Sequence, residues 1–210
     1  MYIKKLGIQI RELKNNHPVH RNSIFLAKYV AKKRFKNILE IGTGTGVIAL
    51  YLAKNGCGVT ATDIDQETLN IACQNAKLNN LNVQFIVSDL YEKVDGKYDC
   101  IIFVPPYFNF PSFSSLAFIF EKIFPTFLET RIDHILDLFF FGGKASLSRR
   151  KLIKIFLEQS RAYLVNKGSI FLMVFKSDIP FLRKFSYITY ERIPMPFFAA
   201  IAILKIKYKP

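Results

Sequence analysis

Hydrophobic residues along the chain fall into short continuous runs that alternate with stripes spaced as on one face of a helix. The runs predict buried strands, and the stripes predict helices packed against them. Because a helix separates most of the strands, right-handed crossovers and a mainly parallel sheet follow, so the fold class is α/β. Strands are predicted over residues 38–41, 58–62, 82–87, 98–104, 169–175, 187–193 and 197–207, and helices over residues 24–34 with Ser23 as N-cap, 47–55, 67–78, about 146–165 and 179–184.

The strand over residues 38–41 runs into a turn with glycine at alternate positions, Gly42, Gly44 and Gly46. Glycine adopts positive φ and adds no side chain, so a flat ligand can approach the main chain at the end of the strand. The turn therefore predicts a nucleotide-type binding site. A P-loop is excluded because no Gly-Lys-Ser/Thr follows, and Val47 stands where the dinucleotide fingerprint requires its last glycine.

The next three strands also end in residues that suit a nucleoside ligand. Asp63 follows the first glycine at a spacing that lets a carboxylate accept hydrogen bonds from both hydroxyls of a ribose. Asp65 is expected to cap the following helix, and capping stays an alternative for Asp63. Asp89 suits an adenine amino group, and a Pro-Pro-Tyr element, residues 105–107, follows the next strand. Since the carboxyl ends of parallel strands meet at one edge, these loops are predicted to form one crevice.

Length and composition indicate a single domain over residues 1–210, because 50% hydrophobic content can supply one large core. Residues 1–22 are predicted to be an irregular or short helical lead-in, and residues 108–143 an aromatic-rich insert. The phenylalanines of the insert predict either a lid on which a substrate base stacks or two amphipathic helices. Helical spacing favours a core role for most of them.

A net charge of +14 predicts attraction to polyanions such as RNA, DNA or the ribosome. A basicity common to the whole proteome is the alternative, but clustering of cations in residues 28–36 and 149–154 favours a specific basic surface.

No secretion signal or membrane segment is predicted. The N-terminus lacks the apolar segment of a signal peptide, and the uncharged run over residues 100–120 is interrupted by prolines. We therefore expect a cytoplasmic protein without membrane contact. The three cysteines are unclustered and are expected to be reduced, and His17 and His20 lack the partners of a metal site, so no metal is predicted.

In their order and intervals, residues 40–46, 62–65, 88–90 and 105–107 resemble the motifs of class I S-adenosylmethionine-dependent methyltransferases, and most closely the HemK-like N-methyltransferases. The resemblance covers residues 22–178. It implies a Rossmann-like, mostly parallel seven-stranded sheet with an antiparallel terminal hairpin and helices on both faces.

The resemblance also implies S-adenosylmethionine as cofactor and assigns roles to individual residues. Gly42 and Gly44 are expected to contact its methionine part, Asp63 its ribose and Asp89 its adenine, with Ile64 and Leu90 packing on the base. The full set expected to bind the cofactor is Glu40, Gly42, Thr43, Gly44, Asp63, Ile64, Ser88, Asp89, Leu90 and Val104.

Pro105, Pro106 and Tyr107 are expected to hold the acceptor nitrogen. Rigid prolines fix main-chain carbonyls that accept hydrogen bonds from a planar NH₂ group, and Tyr107 offers a ring face. Alignment of the nitrogen lone pair with the sulfur–methyl bond is the main requirement, so no catalytic base or metal is needed. A loop that uses the prolines only to leave the sheet is the alternative.

The chain departs from the family pattern at several positions. Val104 stands where the family has Asn or Asp, whose side-chain oxygen accepts a second hydrogen bond from the target amino group. His17-Pro18 and Asn22-Ser23 replace acidic residues of the archaeal and eukaryotic release-factor enzymes, which weakens a release-factor assignment. After the glycine pair Gly142-Gly143, the family's usual acidic residue is also missing.

We therefore predict a methyltransferase that methylates an amino or amide nitrogen in RNA (rRNA or tRNA) or in a protein of the translation machinery. Charge and aromatic content place RNA ahead of protein. An inactive cofactor-binding module that binds RNA is the alternative suggested by Val104, and a nicotinamide enzyme is opposed by Val47 and Asp89.

Overall fold

The computed structural model describes residues 2–11, 21–106, 142–195 and 201–209. Short 3₁₀ turns lie at Arg161–Tyr163 and Lys176–Asp178. The helices and strands, in chain order, are β1 (Tyr2–Ile3), β2 (Ile8–Gln9), α1 (Arg21–Ala31), β3 (Asn37–Ile41), α2 (Val47–Lys54), β4 (Gly58–Asp63), α3 (Gln66–Leu78), β5 (Gln84–Val87), β6 (Tyr98–Phe103), α4 (Gly142–Ser160), β7 (Leu164–Phe175), α5 (Ile179–Leu182), β8 (Ile188–Ile193) and β9 (Ile201–Tyr208).

Within this part of the chain, seven strands form one sheet in the order β5-β4-β3-β6-β7-β9-β8. The pairs from β5 to β7 are parallel, and β9 runs antiparallel between β7 and β8. The strand order reverses direction between β3 and β6, which is where α/β sheets open a crevice for ligands.

Alternate residues of the central strands enter two different cores, as the two-residue period of a strand requires. Leu39 and Leu172 face a cluster that includes α4, whereas Ile38 and Phe171 face a cluster that includes α1 and α2. Both faces of the sheet are therefore covered by helices. No described helix is long and apolar enough to cross a bilayer.

The N-terminal prediction is wrong in two respects. Residues 2–9 form an antiparallel hairpin, with Gly7 at φ 64° in its turn, and not an irregular or helical lead-in. Strands of two residues are too short to produce a readable alternation, which is why the pattern was not visible. Ser23 lies inside α1 and does not cap it.

The region around α4 and β7 also differs from prediction. α4 begins at Gly142, earlier than the predicted start near residue 146, and Val165 belongs to β7. Lys167, in the gap between the predicted helix and the predicted strand, lies within β7 at an irregularity: Tyr98 pairs with Leu164 but Cys100 pairs with Ser169, and Lys167 has φ 68°. Residues 107–141, with Tyr107 and most of the predicted insert, lie outside the described residues.

Candidate active site

The loops after β3, β4, β5 and β6 meet at the carboxyl edge of the sheet. The main-chain N–H of Thr43 donates to the carbonyl of Thr62 at 2.8 Å, and that of Ser88 donates to the carbonyl of Asp63 at 3.0 Å. A Cβ atom placed on Gly42 would lie 3.8 Å from the carbonyl oxygen of Val104. The structure therefore brings together the four motifs that were expected to share a crevice. The fourth motif is described only for Pro105 and Pro106.

The glycine turn has the geometry that its sequence predicts. Gly42, Gly44 and Gly46 have φ values of 69°, 58° and 86°, in the region that residues with side chains rarely adopt. A Cβ on Gly46 would lie 3.2 Å from that of Ala72 in α3, so this glycine allows close packing. A Cβ on Gly44 would meet nothing within 4 Å, so this glycine faces open space where a ligand can approach.

Asp63 joins the end of β4 to the glycine turn. Its Oδ2 accepts a hydrogen bond from the main-chain N–H of Gly44 at 2.9 Å, and its Oδ1 accepts one from the N–H of Asp65 at 3.1 Å. The side chain is half-buried, and each carboxylate oxygen keeps a second lone pair for a ligand hydroxyl.

Asp65 caps α3, as predicted. Its carboxylate accepts hydrogen bonds from the main-chain N–H groups of Glu67 and Thr68, at 3.3 and 3.0 Å. The two neighbouring acids therefore differ in role, because one orients the turn and the other begins a helix.

Glu40 lies beneath the turn and is 2% exposed. Its Oε2 accepts a hydrogen bond from the Thr43 hydroxyl at 2.8 Å, and the N–H of Ala49 also donates to the carboxyl group. Burial raises the pKa of Glu40 to about 8, although these hydrogen bonds lower it. The side chain therefore fixes the turn from below.

Residues on the β4 and β5 loops divide into an exposed and a buried group. Ile64 is 68% exposed, which is unusual for a large apolar side chain, and Asp89 is also exposed, in the adjacent loop. Ser88 is buried, and its hydroxyl accepts a hydrogen bond from the N–H of Lys93 at 3.1 Å. Leu90 has φ 46° and packs against the core.

Three of the predicted cofactor residues thus have buried side chains engaged with the protein: Glu40, Thr43 and Ser88. They support the loops from behind. Their contact with the cofactor stays a prediction. For Thr43 and Ser88, whose side chains are engaged with the protein, main-chain atoms would make that contact.

The proline corner follows β6. Pro105 is buried, Pro106 is exposed, and Val104 packs partly against the core on the α1 side. Because Phe103 pairs with Leu172, the corner lies level with the end of β7 on the neighbouring strand.

A basic pocket of about 360 Å³ lies farther along the same edge, lined by Lys176, Arg192, Ile193, Pro194, Met195, Ile201 and Ala202. In the part of the chain that the structure describes, neither Lys176 nor Arg192 pairs with a carboxylate. Two other cations of this edge share one carboxylate, since Arg149 and Arg150 both bond the buried Asp178, at 2.7 and 3.0 Å.

Sequence reasoning missed two features of this region. The basic pocket joins residues from three strand ends, so no local pattern marks it. Asn75 is fully buried and contacts the glycine turn. The sequence does mark this residue, because Asn75 is a polar residue in the apolar stripe of α3, between Ala72 and Ala76.

Known proteins resemble this chain in sequence and in fold. The family described as Methyltransferase small domain matches residues 16–123. A protein of Methanocaldococcus jannaschii named "Putative protein N5-glutamine methyltransferase" is 34% identical over 81% of this chain and 77% of its own length. The chain belongs to the methyltransferase small domain family. It is an S-adenosylmethionine-dependent methyltransferase, which confirms the predicted activity and cofactor.

Other relatives match this methyltransferase over shorter stretches. A release factor glutamine methyltransferase of Streptococcus pneumoniae is 48% identical, but the match covers 35% of this chain and 27% of that protein. Among solved structures, the ribosomal protein L11 methylase of Lactobacillus delbrueckii subsp. bulgaricus is similar with a TM-score of 0.63, at 16% identity over 92% of this chain and 81% of the other. The structural likeness confirms the predicted Rossmann-like fold.

Proposed function

We propose that this methyltransferase transfers a methyl group to the side-chain amide nitrogen of a glutamine in a protein of the translation machinery. The observation that carries the proposal is the position of the Val104 carbonyl beside Gly42, because it joins the proline corner to the glycine turn in one crevice. The relative named as a protein N5-glutamine methyltransferase supports the same acceptor, since it aligns over 77% of its length.

The cofactor would lie across the ends of β3, β4 and β5. The open space at Gly44 leaves room for its methionine part, and the free lone pairs of Asp63 suit the ribose hydroxyls. The exposed face of Ile64 suits the adenine ring, and the carboxylate of Asp89 suits the adenine amino group. Bound there, S-adenosylmethionine supplies an electrophilic methyl group on a positively charged sulfur.

The chain's own contribution to the reaction is to orient the acceptor. Main-chain carbonyls of Val104 and Pro105 can accept both hydrogens of an amide NH₂ group, which fixes its plane. The nitrogen forms the new bond to carbon while the sulfur–carbon bond breaks and leaves its electron pair on sulfur. The nitrogen then loses one proton to water. Pro106 restricts the backbone, and Tyr107, whose structure lies outside the described residues, is proposed to cover the acceptor.

RNA is the second candidate acceptor, and the basic pocket favours it. Lys176 and Arg192 are two cations without a described carboxylate partner on the same edge as the proline corner, in a chain of net charge +14. The basic pocket is also compatible with a protein acceptor that is bound to the ribosome, because ribosomal RNA would then lie near these cations. We propose a single domain over residues 1–210 and a cytoplasmic location, where either acceptor is found.

Labelled S-adenosylmethionine distinguishes the candidates. The wild-type protein is incubated separately with ribosomal and soluble protein fractions and with total RNA, and label is followed to the modified residue. We expect label on glutamine in a protein. Label in RNA alone would favour the second candidate. Binding of S-adenosylhomocysteine without label in any fraction would indicate an inactive cofactor-binding module.

A further inference from the structure

We infer that Asn75 is a positioning residue for the cofactor, which holds the glycine turn and ties it to the N-terminal hairpin as one unit. This inference rests on the proposed cofactor site. It concerns a residue of α3 that lies behind the turn and does not face the crevice.

Asn75 uses its whole amide group. Its Nδ2 donates to the carbonyl of Thr45 at 2.9 Å and to the carbonyl of Arg11 at 3.1 Å, and its Oδ1 accepts from the N–H of Arg11 at 2.7 Å. The side chain is 0% exposed. Two carbonyls and one N–H around it also fix which end of the amide is oxygen, since only the NH₂ end can donate.

The same helix face makes a second, similar contact. Asn79 accepts a hydrogen bond from the N–H of Gln9 at 2.8 Å and donates to the carbonyl of Gln9 at 2.7 Å. Four residues of helix rise about 6 Å, and two residues of strand rise about 6.8 Å, so two asparagines one turn apart match alternate residues of an extended segment. The main-chain groups of Gln9 and Arg11 are therefore hydrogen-bonded to side chains of α3.

Only one of these two asparagines reaches the glycine turn. Asn75 bonds Thr45, the residue between the open Gly44 and the packed Gly46, whereas the second donor bond of Asn79 goes to the carbonyl of Asn75 within α3. Ala72, one turn earlier, supports Gly46. Asn75 therefore holds the glycine turn against α3. Removal of its side chain would leave the buried Thr45 carbonyl without this donor.

The hairpin core continues this connection. Ile8 and Ile10 pack in one cluster with Val47 and Leu50, the first residues of α2 after the turn. Movement of the turn is therefore transmitted to Arg11 by packing and by the Asn75 side chain together. We expect cofactor binding to stabilise the hydrogen bonds of the hairpin, although the hairpin does not line the crevice.

Calorimetry with S-adenosylhomocysteine tests the positioning role, with Asn79→Ala as the matched control. Asn75→Ala is expected to weaken binding by about tenfold, because one of the three hydrogen bonds that it removes holds the glycine turn at Thr45, while Asn79→Ala changes affinity by less than about threefold. Equal losses in both variants would overturn the inference, because the effect would then come from the hairpin alone. Unchanged affinity in Asn75→Ala would also overturn it.

Asp63→Ala in the same series separates the two proposals. If Asp63→Ala weakens binding and Asn75→Ala does not, the cofactor site stands and the role of Asn75 fails. If neither variant weakens binding, both proposals fail.

Hydrogen exchange of the wild-type protein tests the coupling even if the Asn75 variant does not fold. S-adenosylhomocysteine is expected to slow exchange of the Arg11 amide by about fivefold or more. The Lys209 amide, which bonds Tyr187 at the far end of the sheet, is expected to change little and serves as internal control. No slowing at Arg11 with saturating ligand would overturn the coupling.

Discussion

The main-chain N–H of Gly44 donates a hydrogen bond to Oδ2 of Asp63 at 2.9 Å, so the carboxylate proposed for the ribose also holds the glycine turn. Asp63→Ala removes both interactions, and we expect affinity for S-adenosylhomocysteine to fall by about tenfold to a hundredfold. Calorimetry measures this loss directly.

Asp65→Ala is the matched control for that experiment. It removes the N-cap of α3 and is expected to cost about 1 kcal/mol of unfolding free energy, with little change in ligand affinity. A larger loss of affinity in Asp65→Ala than in Asp63→Ala would reverse the two assigned roles.

Gly44→Ala tests whether the open space above the turn is occupied by the cofactor. The added methyl group meets no protein atom, but it would enter the crevice at φ 58°. We expect a loss of about 1 kcal/mol in stability from the backbone strain and a much larger loss in S-adenosylhomocysteine affinity.

Gly56→Ala controls for the strain alone. Gly56 has φ 85°, and a Cβ there also meets nothing within 4 Å, but it follows the other end of α2. Stability should fall by a similar amount with ligand affinity retained. Similar affinities for the two variants would contradict the cofactor position.

Glu40 makes stability depend on pH. Its pKa is about 8 in the folded protein and 4.5 as the ordinary value, so between these pH values the unfolded chain releases a proton that the folded protein keeps. The contribution of Glu40 to the free energy of unfolding is therefore fully present below pH 4.5. It is lost as pH rises towards 8, by about 1.4 kcal/mol per pH unit.

Urea unfolding of the wild type and Glu40→Gln at pH 5, 6.5 and 8 measures this dependence. Burial is the main cause of the raised pKa, so a neutral amide of the same shape should remove the dependence. We expect the wild type to lose stability relative to the variant across this range. Parallel pH profiles of the two proteins would show that the carboxyl group is not perturbed.

Val104→Asn tests the departure at the proline corner. The amide would add a side-chain acceptor for the target NH₂ group, so we expect kcat/KM for the acceptor to rise by about tenfold. Val104→Leu is the control, since it keeps an apolar residue. Lower activity in Val104→Asn than in Val104→Leu would mean that the main-chain acceptors already suffice.

Lys176→Glu combined with Arg192→Glu tests the basic pocket. We expect KM for the acceptor to rise by about tenfold, and the rise to shrink at high salt because exposed charges are screened. Lys77→Glu combined with Lys209→Glu changes the net charge equally at exposed positions that do not line the pocket. Equal effects of the two double variants would assign the change to net charge.

The sequence by itself determined the sheet and the edge where the site lies. Buried strands read as continuous apolar runs, and each of the first parallel strands ends in a residue with specific chemistry, so the sequence predicted β3 to β6. It also predicted that Asp65 caps α3, although it left capping open for Asp63. These are local properties: a turn needs glycine where φ is positive, and a helix needs a cap where it begins.

Only the tertiary structure decided which polar residues support the turn and which face the crevice. Glu40 and Asp63 are both acids at strand ends, but burial raises the pKa of one and leaves the other half-exposed beside Gly44. Asn75 lies far from Arg11 and Thr45 in sequence and meets both because α3 packs behind the turn. Such contacts depend on how helices lie on the sheet, and no spacing along the chain records them.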